Sequence, residues 1–361
     1  MSKQIRILHI GYSTNPGGIE NLIYSWVKNL PEDIHFDFVN CEEEELTFEN
    51  ELKKHGCNVY KIAHKFKDPI QHFKDLRKII KEGNYDYIHH HVMVLVESDP
   101  YILAKHYKTK IISHCHSNNL EVAFGERVLN MLAKVTMIGC NYLPVSCSQE
   151  GGITMFKSKP FTVIENGIDI NRFKYSNKSR RMIRKKYNLE DDNIVVGHVG
   201  RETIDKNYPF IISTFKELYK NDNKYRLMLV GDINCLSNDV IDLIKEYKLE
   251  NATICTGTVN DTSPFYSAMD VFFFPSLKEG LGIALIEAQA SGLPCVASIN
   301  IPKDANVSKY CEFVDYDVNL ASSKINEFSK TKIDRKKAEI NQRYNIVNSS
   351  AKLFDYYRNN L

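Results

Sequence analysis

Residues 272–294 read FFFPSLKEGLGIALIEAQASGLP. With Val271, the stretch opens on four consecutive apolar residues, the pattern of a strand buried on both faces of a parallel sheet. Pro275 and Ser276 end it. A loop carries Glu279, Gly280, Leu281 and Gly282, after which Ile283, Ile286 and Ala290 recur at helical spacing. Gly292 and Pro294 stop that helix. A strand thus feeds a glycine-containing turn and then a helix start, where unpaired backbone N–H groups and the helix dipole favour an anion. Glu279 stands before the helix and Glu287 within it. A carboxylate accepts two hydrogen bonds from adjacent hydroxyls. Anion-binding amides flanked by such acceptors therefore suit a nucleotide sugar. Taken singly, each glutamate fits an ordinary solvated surface position better, and the choice needs the rest of the chain.

The same strand–helix alternation extends outward in both directions. Upstream, Ile194–Val199 reads as a strand, followed by a helix at 207–220, a strand at 226–230 and a helix at 237–247. Thr253–Cys255 is a strand and 264–269 a short helix; downstream, 295–297 is a further strand. A first series precedes these. Its strands are Ile5–Ile10, 35–39, 58–62, 87–91, 110–113, Tyr142–Ser146 and 161–164, with helices at 69–81 and 121–138. This order predicts parallel sheets covered on both faces, with ligands beyond the carboxyl ends of the strands. The segments 11–18, 89–91 and 114–119 all fall at such ends. The boundaries are placed at 1–172, 173–340 and 341–361, and the charged tail at 331–361 reads as helical, with a sparse stripe of Ile346, Leu353, Tyr356, Tyr357 and Leu361.

Composition narrows the class. A chain of 361 residues with 43% hydrophobic content supports two cores, and a net charge of +2 gives no encouragement to nucleic-acid binding. The 9 cysteines are odd in number and scattered without a CxxC pair, which fits a reducing compartment better than a disulfide or zinc framework. No apolar run reaches the roughly 18 residues of a membrane span. The loop after the first strand, Gly11 to Gly18, is neither a dinucleotide fingerprint nor a Walker loop, yet Gly17 and Gly18 allow close backbone approach at a helix start. Arg201 and Lys206 follow the strand Ile194–Val199, and two cations at a strand end fit a diphosphate.

Five motifs in order carry a resemblance: Gly17-Gly18-Ile19-Glu20, Asn166-Gly167-Ile168-Asp169 with Arg172-Phe173, Gly200-Arg201 with Lys206, Val230-Gly231-Asp232, and Glu279 with Glu287. Together they resemble the motif set of the retaining GT-B glycosyltransferases of family 4, in their capsule and exopolysaccharide branch. The resemblance implies an α/β fold of two Rossmann-like domains facing across a donor cleft, with a C-terminal helix crossing back to the N-terminal domain. It also implies sugar transfer from a nucleotide sugar, UDP-linked, with retention and without a metal cofactor. The acceptor would be a hydroxyl of a growing, lipid-linked glycan. By motif, Glu279 would bind donor-sugar hydroxyls and Glu287 the ribose. Leu281, Gly282, Ile283 and Ala284 would offer amides to sugar and phosphate. Arg201 and Lys206 would hold the diphosphate, with Gly17 and Gly18 approaching from the other domain. A strand-end histidine would contact the sugar; His116 is preferred over His114, which falls closer to the strand. Two departures stand out. Glu-Gly-Leu-Gly replaces the common Glu-Gly-Phe-Gly, and Gly231-Asp232 lacks a following glycine.

The remaining features point less far. Three successive histidines, 89–91, alternate faces on a strand and cannot all ligate one ion, so a structural or cleft-lining role is expected. No G-x-S-x-G elbow accompanies the serines near 113–148, and the same-face attack that the resemblance implies, with the leaving phosphate taking the proton, assigns no general base to the protein. The segment 118–136 is a candidate acceptor-side or membrane-facing helix. The expected setting is cytoplasmic, at the inner face of the membrane. The alternatives are a non-catalytic nucleotide-sugar-binding subunit and a GT-B nucleotide-sugar epimerase.

Overall fold

The computed structural model describes residues 4–14, 17–92, 97–116, 135–137, 139–231 and 237–361. The chain forms two compact units, Met1–Ile168 with Arg343–Leu361, and Asp169–Gln342.

The first unit is built on seven parallel strands: β1 (Ile5–Ile10), β2 (Ile34–Asn40), β3 (Val59–Lys61), β4 (Tyr87–Val92), β5 (Lys110–Cys115), β6 (Tyr142–Ser146) and β7 (Thr162–Val163). Their spatial order is β3-β2-β1-β4-β5-β6-β7. Alternation along β1 sends Ile7 to one face and Leu8 to the other. Ile7 joins Trp26, Phe36, Tyr87 and Ile112, whereas Leu8 joins Leu76, Ile80, Ile88 and Ile111. Both faces are therefore apolar and both are covered by helices. The helix Ile346–Asn359, capped by the Asn345 side chain, supplies Ile346, Leu353, Phe354 and Tyr357 to the Trp26 face. The Tyr87 hydroxyl donates to the Tyr357 carbonyl at 2.8 Å, and Arg358 pairs with Asp33 at 2.8 Å.

The second unit has six parallel strands: β8 (Ile194–Val199), β9 (Tyr225–Val230), β10 (Thr253–Cys255), β11 (Val271–Phe274), β12 (Cys295–Ser298) and β13 (Cys311–Val314), in the order β10-β9-β8-β11-β12-β13. Renumbered within the unit this is 3-2-1-4-5-6, the doubly wound order, whose topological switch point lies between the first and fourth strands. In the first unit that point lies between β1 and β4, and in the second between β8 and β11.

Several elements differ from the sequence reading. The histidines 89–91 lie inside β4 rather than at its end, because β4 continues to Val92 against β5. β13 and the helices Gln149–Phe156, Asn177–Lys186 and Val318–Lys330 are additional. The tail is helical only over Ile346–Asn359; before it stand two short 3-10 turns, Arg335–Lys337 and Gln342–Tyr344. The reason is Arg335, whose guanidinium donates to the carbonyls of Met269 (2.7 Å), Tyr266 (2.8 Å) and Ser291 (3.1 Å), fixing this segment by a side chain. Of the helix expected at 121–138, all but 135–137 lies outside the described residues, as does most of the segment 118–136. No helix among the described residues is long and apolar enough to cross a membrane.

Candidate functional site

The stretch 272–294 supplies one wall of the switch point of the second unit. β11 is wholly buried, and its last residue, Phe274, is followed by a loop held by side chains. Tyr316 donates its hydroxyl to the Ser276 carbonyl at 2.9 Å, and the Leu277 amide donates to the Asp205 carbonyl at 2.7 Å. That second bond joins the loop after β11 to the 3-10 turn Ile204–Lys206 after β8. The turn ends at Asn207, in the left-handed region, and Pro209 helps start the next helix. The result is an ion pair between the Lys206 ammonium and the Glu279 carboxylate, both largely shielded from solvent. The Lys206 ammonium also lies 5.0 Å from the centroid of the Phe274 ring. Arg201 is exposed on the loop between β8 and that turn.

Gly282 then turns the chain at φ 84° and ψ 52°, a conformation that favours glycine, and caps the helix Ile283–Ala290. A Cβ there would stand 3.4 Å from Phe274 and from Ile301, so the turn sits directly on the core. Ile283 and Ala284 are the first residues of the helix, and their N–H groups have no acceptor within it. Leu281 is buried, whereas Ile283 and Ala284 are half-buried.

One turn further, Glu287 is half-buried and accepts a hydrogen bond from the Tyr266 hydroxyl at 2.8 Å. Burial pushes its carboxyl up to about 7; the Tyr266 hydroxyl and the Arg172 guanidinium pull the other way, and Asp261 adds to the rise. Arg172 itself pairs with Asp261 at 2.8 Å. Beneath Gly200, His198 is fully buried, and its Nδ1–H donates to the Phe273 carbonyl at 3.0 Å. Tyr266 and His198 were not singled out from the sequence. Neither belongs to a motif, and only the fold brings them beside Glu287 and Gly200. Asp232 lies outside the described residues.

In the first unit, His9, His89, His91, His114 and His116 share one face of β1, β4 and β5 and its extension, stacked around Trp26. His90 points to the opposite face, where Tyr101 and Glu97 receive it at 3.2 Å. The five clustered rings are buried, and desolvation keeps them neutral: His9 falls to about 3 and His116 to about 4. Ligand atoms of His9, His89 and His91, and of His91, His114 and His116, lie within 4.8 Å of one another. Yet the nitrogens of His9, His91 and His116 face each other at hydrogen-bond distance rather than a common centre. His116 uses both nitrogens, on His91 and on Asn166, while His114 contacts His89 at 3.0 Å. Gly17 caps the helix Gly18–Lys28 in an extended conformation, half-buried, with Gly18 exposed.

Comparison with known proteins bears on this geometry. HepE from Anabaena, crystallised with UDP and glucose, superposes with a TM-score of 0.81 at 19% identity, covering 99% of this chain and 100% of that one. The fold is GT-B. Residues 179–345 match the family described as glycosyl transferases group 1. The putative glycosyltransferase EpsF of Bacillus subtilis is 25% identical over 312 residues, 83% of this chain and 80% of that protein. The capsular polysaccharide biosynthesis glycosyltransferase CapH of Staphylococcus aureus is 23% identical over 344 residues, 92% of each. Together these matches support a glycosyltransferase.

Proposed function

We propose that the chain is a retaining glycosyltransferase that moves one hexosyl or N-acetylhexosaminyl unit from a nucleotide-diphosphate sugar to a hydroxyl of a growing glycan. The observation that carries this reading is the Lys206–Glu279 ion pair, set at the switch point beside the start of the helix Ile283–Ala290. In the free unit, cation and carboxylate neutralise each other. A nucleotide sugar gives each a second partner: a diphosphate for Lys206, adjacent sugar hydroxyls for Glu279. Arg201 adds a planar fork for the phosphates, and the amides of Leu281 to Ala284 add fixed dipoles. Glu287 takes the ribose hydroxyls. His116, Gly17 and Gly18 are the residues of the first unit proposed to meet the donor.

The chemistry follows from where charge develops. The bond between the anomeric carbon and the phosphate oxygen breaks, and negative charge grows on the leaving diphosphate. Arg201, Lys206 and the helix-start amides stabilise that charge more in the transition state than in the ground state. The acceptor hydroxyl attacks on the same face, and its proton passes to the leaving phosphate, so no enzymic base and no divalent cation are needed. UDP is the proposed nucleotide, on the precedent of HepE. The name of CapH, a capsular polysaccharide biosynthesis glycosyltransferase, supports a polysaccharide-biosynthesis setting. The acceptor is proposed to be lipid-linked, and the protein to work in the cytoplasm at the inner membrane face.

The test is a panel of nucleotide sugars screened by thermal stabilisation, since a ligand specific to the native state raises its apparent stability. Transfer is then assayed with the best donor, with and without EDTA. A UDP-sugar that raises the melting temperature and is turned over in EDTA, with the anomeric configuration retained, is the expected result. Binding without turnover would leave a non-catalytic subunit as the reading, and a strict Mg²⁺ requirement would remove the metal-free mechanism.

A further inference from the structure

Three contacts join four buried groups of the first unit in a line. His9 Nδ1 lies 2.9 Å from His91 Nε2, His91 Nδ1 lies 2.9 Å from His116 Nε2, and His116 Nδ1 lies 3.3 Å from Asn166 Oδ1. The rings belong to β1, β4 and the residue after β5, brought to one face by the alternation of the strands. Their exposures are 0%, 6% and 5%, and that of Asn166 is 3%. A neutral imidazole has one N–H and one lone pair. In a line of such rings each ring must pass the same polarity to the next, so only two arrangements exist. The Asn166 carbonyl oxygen can only accept, which selects the one with a proton on Nδ1 of His116, then of His91, then of His9. The line then ends in a lone pair on His9 Nε2. That atom is buried and has no partner among the described residues. The opposite polarity would leave an N–H stranded there, and a buried donor without an acceptor is the rarer and costlier case.

We infer that His9 and His91 are positioning residues that lock His116 in the Nδ1–H tautomer, so that His116 meets the donor sugar as a hydrogen-bond donor. The part concerning the sugar rests on the function proposed above. The His116–Asn166 contact is the longest of the three, so a sugar oxygen replaces Asn166 there at the least cost. His116 cannot take a proton through an Nδ1 that already carries one. His9 and His91 never touch substrate; they act through the ring they orient. Trp26, stacked 6.1 Å from His89 and tilted by 33° at 6.0 Å from His91, packs against the rings and limits their rotation.

The experiment reads the tautomers directly. The full-length protein, labelled with ¹⁵N-histidine and free of ligand at pH 7, is examined through the ring nitrogens. The expected spectrum gives His9, His91 and His116 a protonated Nδ1 and a bare Nε2; a proton on His116 Nε2 overturns the inference. Two variants then separate positioning from packing. His91→Asn carries an amide N–H near the Nδ1 position and should keep the His116 tautomer, with kcat within about threefold of wild type. His91→Phe fills the stack without an N–H. Asn166 still holds the tautomer in the free protein, but the hold is lost when a sugar oxygen takes the place of Asn166, so kcat should fall by about tenfold, the worth of one hydrogen bond. A phenylalanine variant that keeps kcat refutes the positioning role, as does an asparagine variant that falls equally far. Should wild-type protein transfer no sugar at all, the function proposed above fails, while the ring spectrum still decides the tautomer.

Discussion

At the ends of β8 and β11 the second unit gathers Lys206, Glu279, a helix start and, nearby, the titrating Glu287. Within β1 and β4, close to their carboxyl ends, the first unit, with the same order of its first six strands, gathers rings that desolvation holds neutral. One topology thus frames two kinds of recognition. Charge at the second switch point suits a ligand that brings charge, and tolerates small shifts because Coulomb attraction is only weakly directional. Neutral hydrogen bonds at the first suit a group that must be oriented, and they need the rings fixed by stacking. Strand order positions a site; the side chains at the strand ends decide whether it binds by field or by geometry.

The contrast can be broken from either side. The largest effect is expected in the first unit. Trp26→Ala removes a fully buried ring against which three histidines pack and should cost about 3–5 kcal/mol of stability, read from denaturant unfolding. A loss near zero would show that the rings hold themselves. Next is Glu279→Ala, which should leave the melting temperature within a few degrees and lower turnover of the donor about a hundredfold; full turnover in a folded variant would sink the role given to Glu279. Lys206→Ala should weaken UDP binding about tenfold to a hundredfold by calorimetry, the worth of one charge-assisted contact, and unchanged affinity would move the diphosphate elsewhere.

The smallest effect sharpens the contrast by its sign. The Glu287 carboxyl is raised by folding from 4.5 to about 7, chiefly by burial. Its contribution to stability is therefore complete below 4.5 and is lost as pH rises through about 7. Glu287→Gln keeps an acceptor for the Tyr266 hydroxyl and abolishes that loss. It should match wild type near pH 4.5 and exceed it by about 1–2 kcal/mol at pH 8, after allowance for partial exposure. Nucleotide affinity should fall in the same variant. Equal stability at both pH values would show that Glu287 ionises without penalty.

Much of this was legible in the sequence because the signals were local. Val271–Phe274, the glycine turn and the helix after it could be read without knowing any neighbour, and the βα alternation gave the doubly wound class. The ion pair was not legible: Lys206 and Glu279 are 73 residues apart, and each residue taken alone resembles a surface charge. The tail misled for the same reason. Its charges fit a helix, but Arg335 is satisfied by three distant carbonyls. The pairs His89/His91 and His114/His116, spaced by two, did hold a signal of a shared face. Asn166 was marked only as part of a motif, with no link to the histidines, and His9, at the other end of the line, carries no local mark.

The first unit is discontinuous, and this sets the order in which the protein can be made. Its sheet is encoded before residue 169 and its covering helix only after residue 343. During synthesis the Trp26 face must therefore wait for Leu353, Phe354 and Tyr357, while the second unit, encoded without interruption, has all it needs earlier. A ribosome paused before residue 346 would display an apolar face, including the Tyr87 hydroxyl whose acceptor is the Tyr357 carbonyl. The helix Ile346–Asn359 is thus the element whose synthesis closes the first unit.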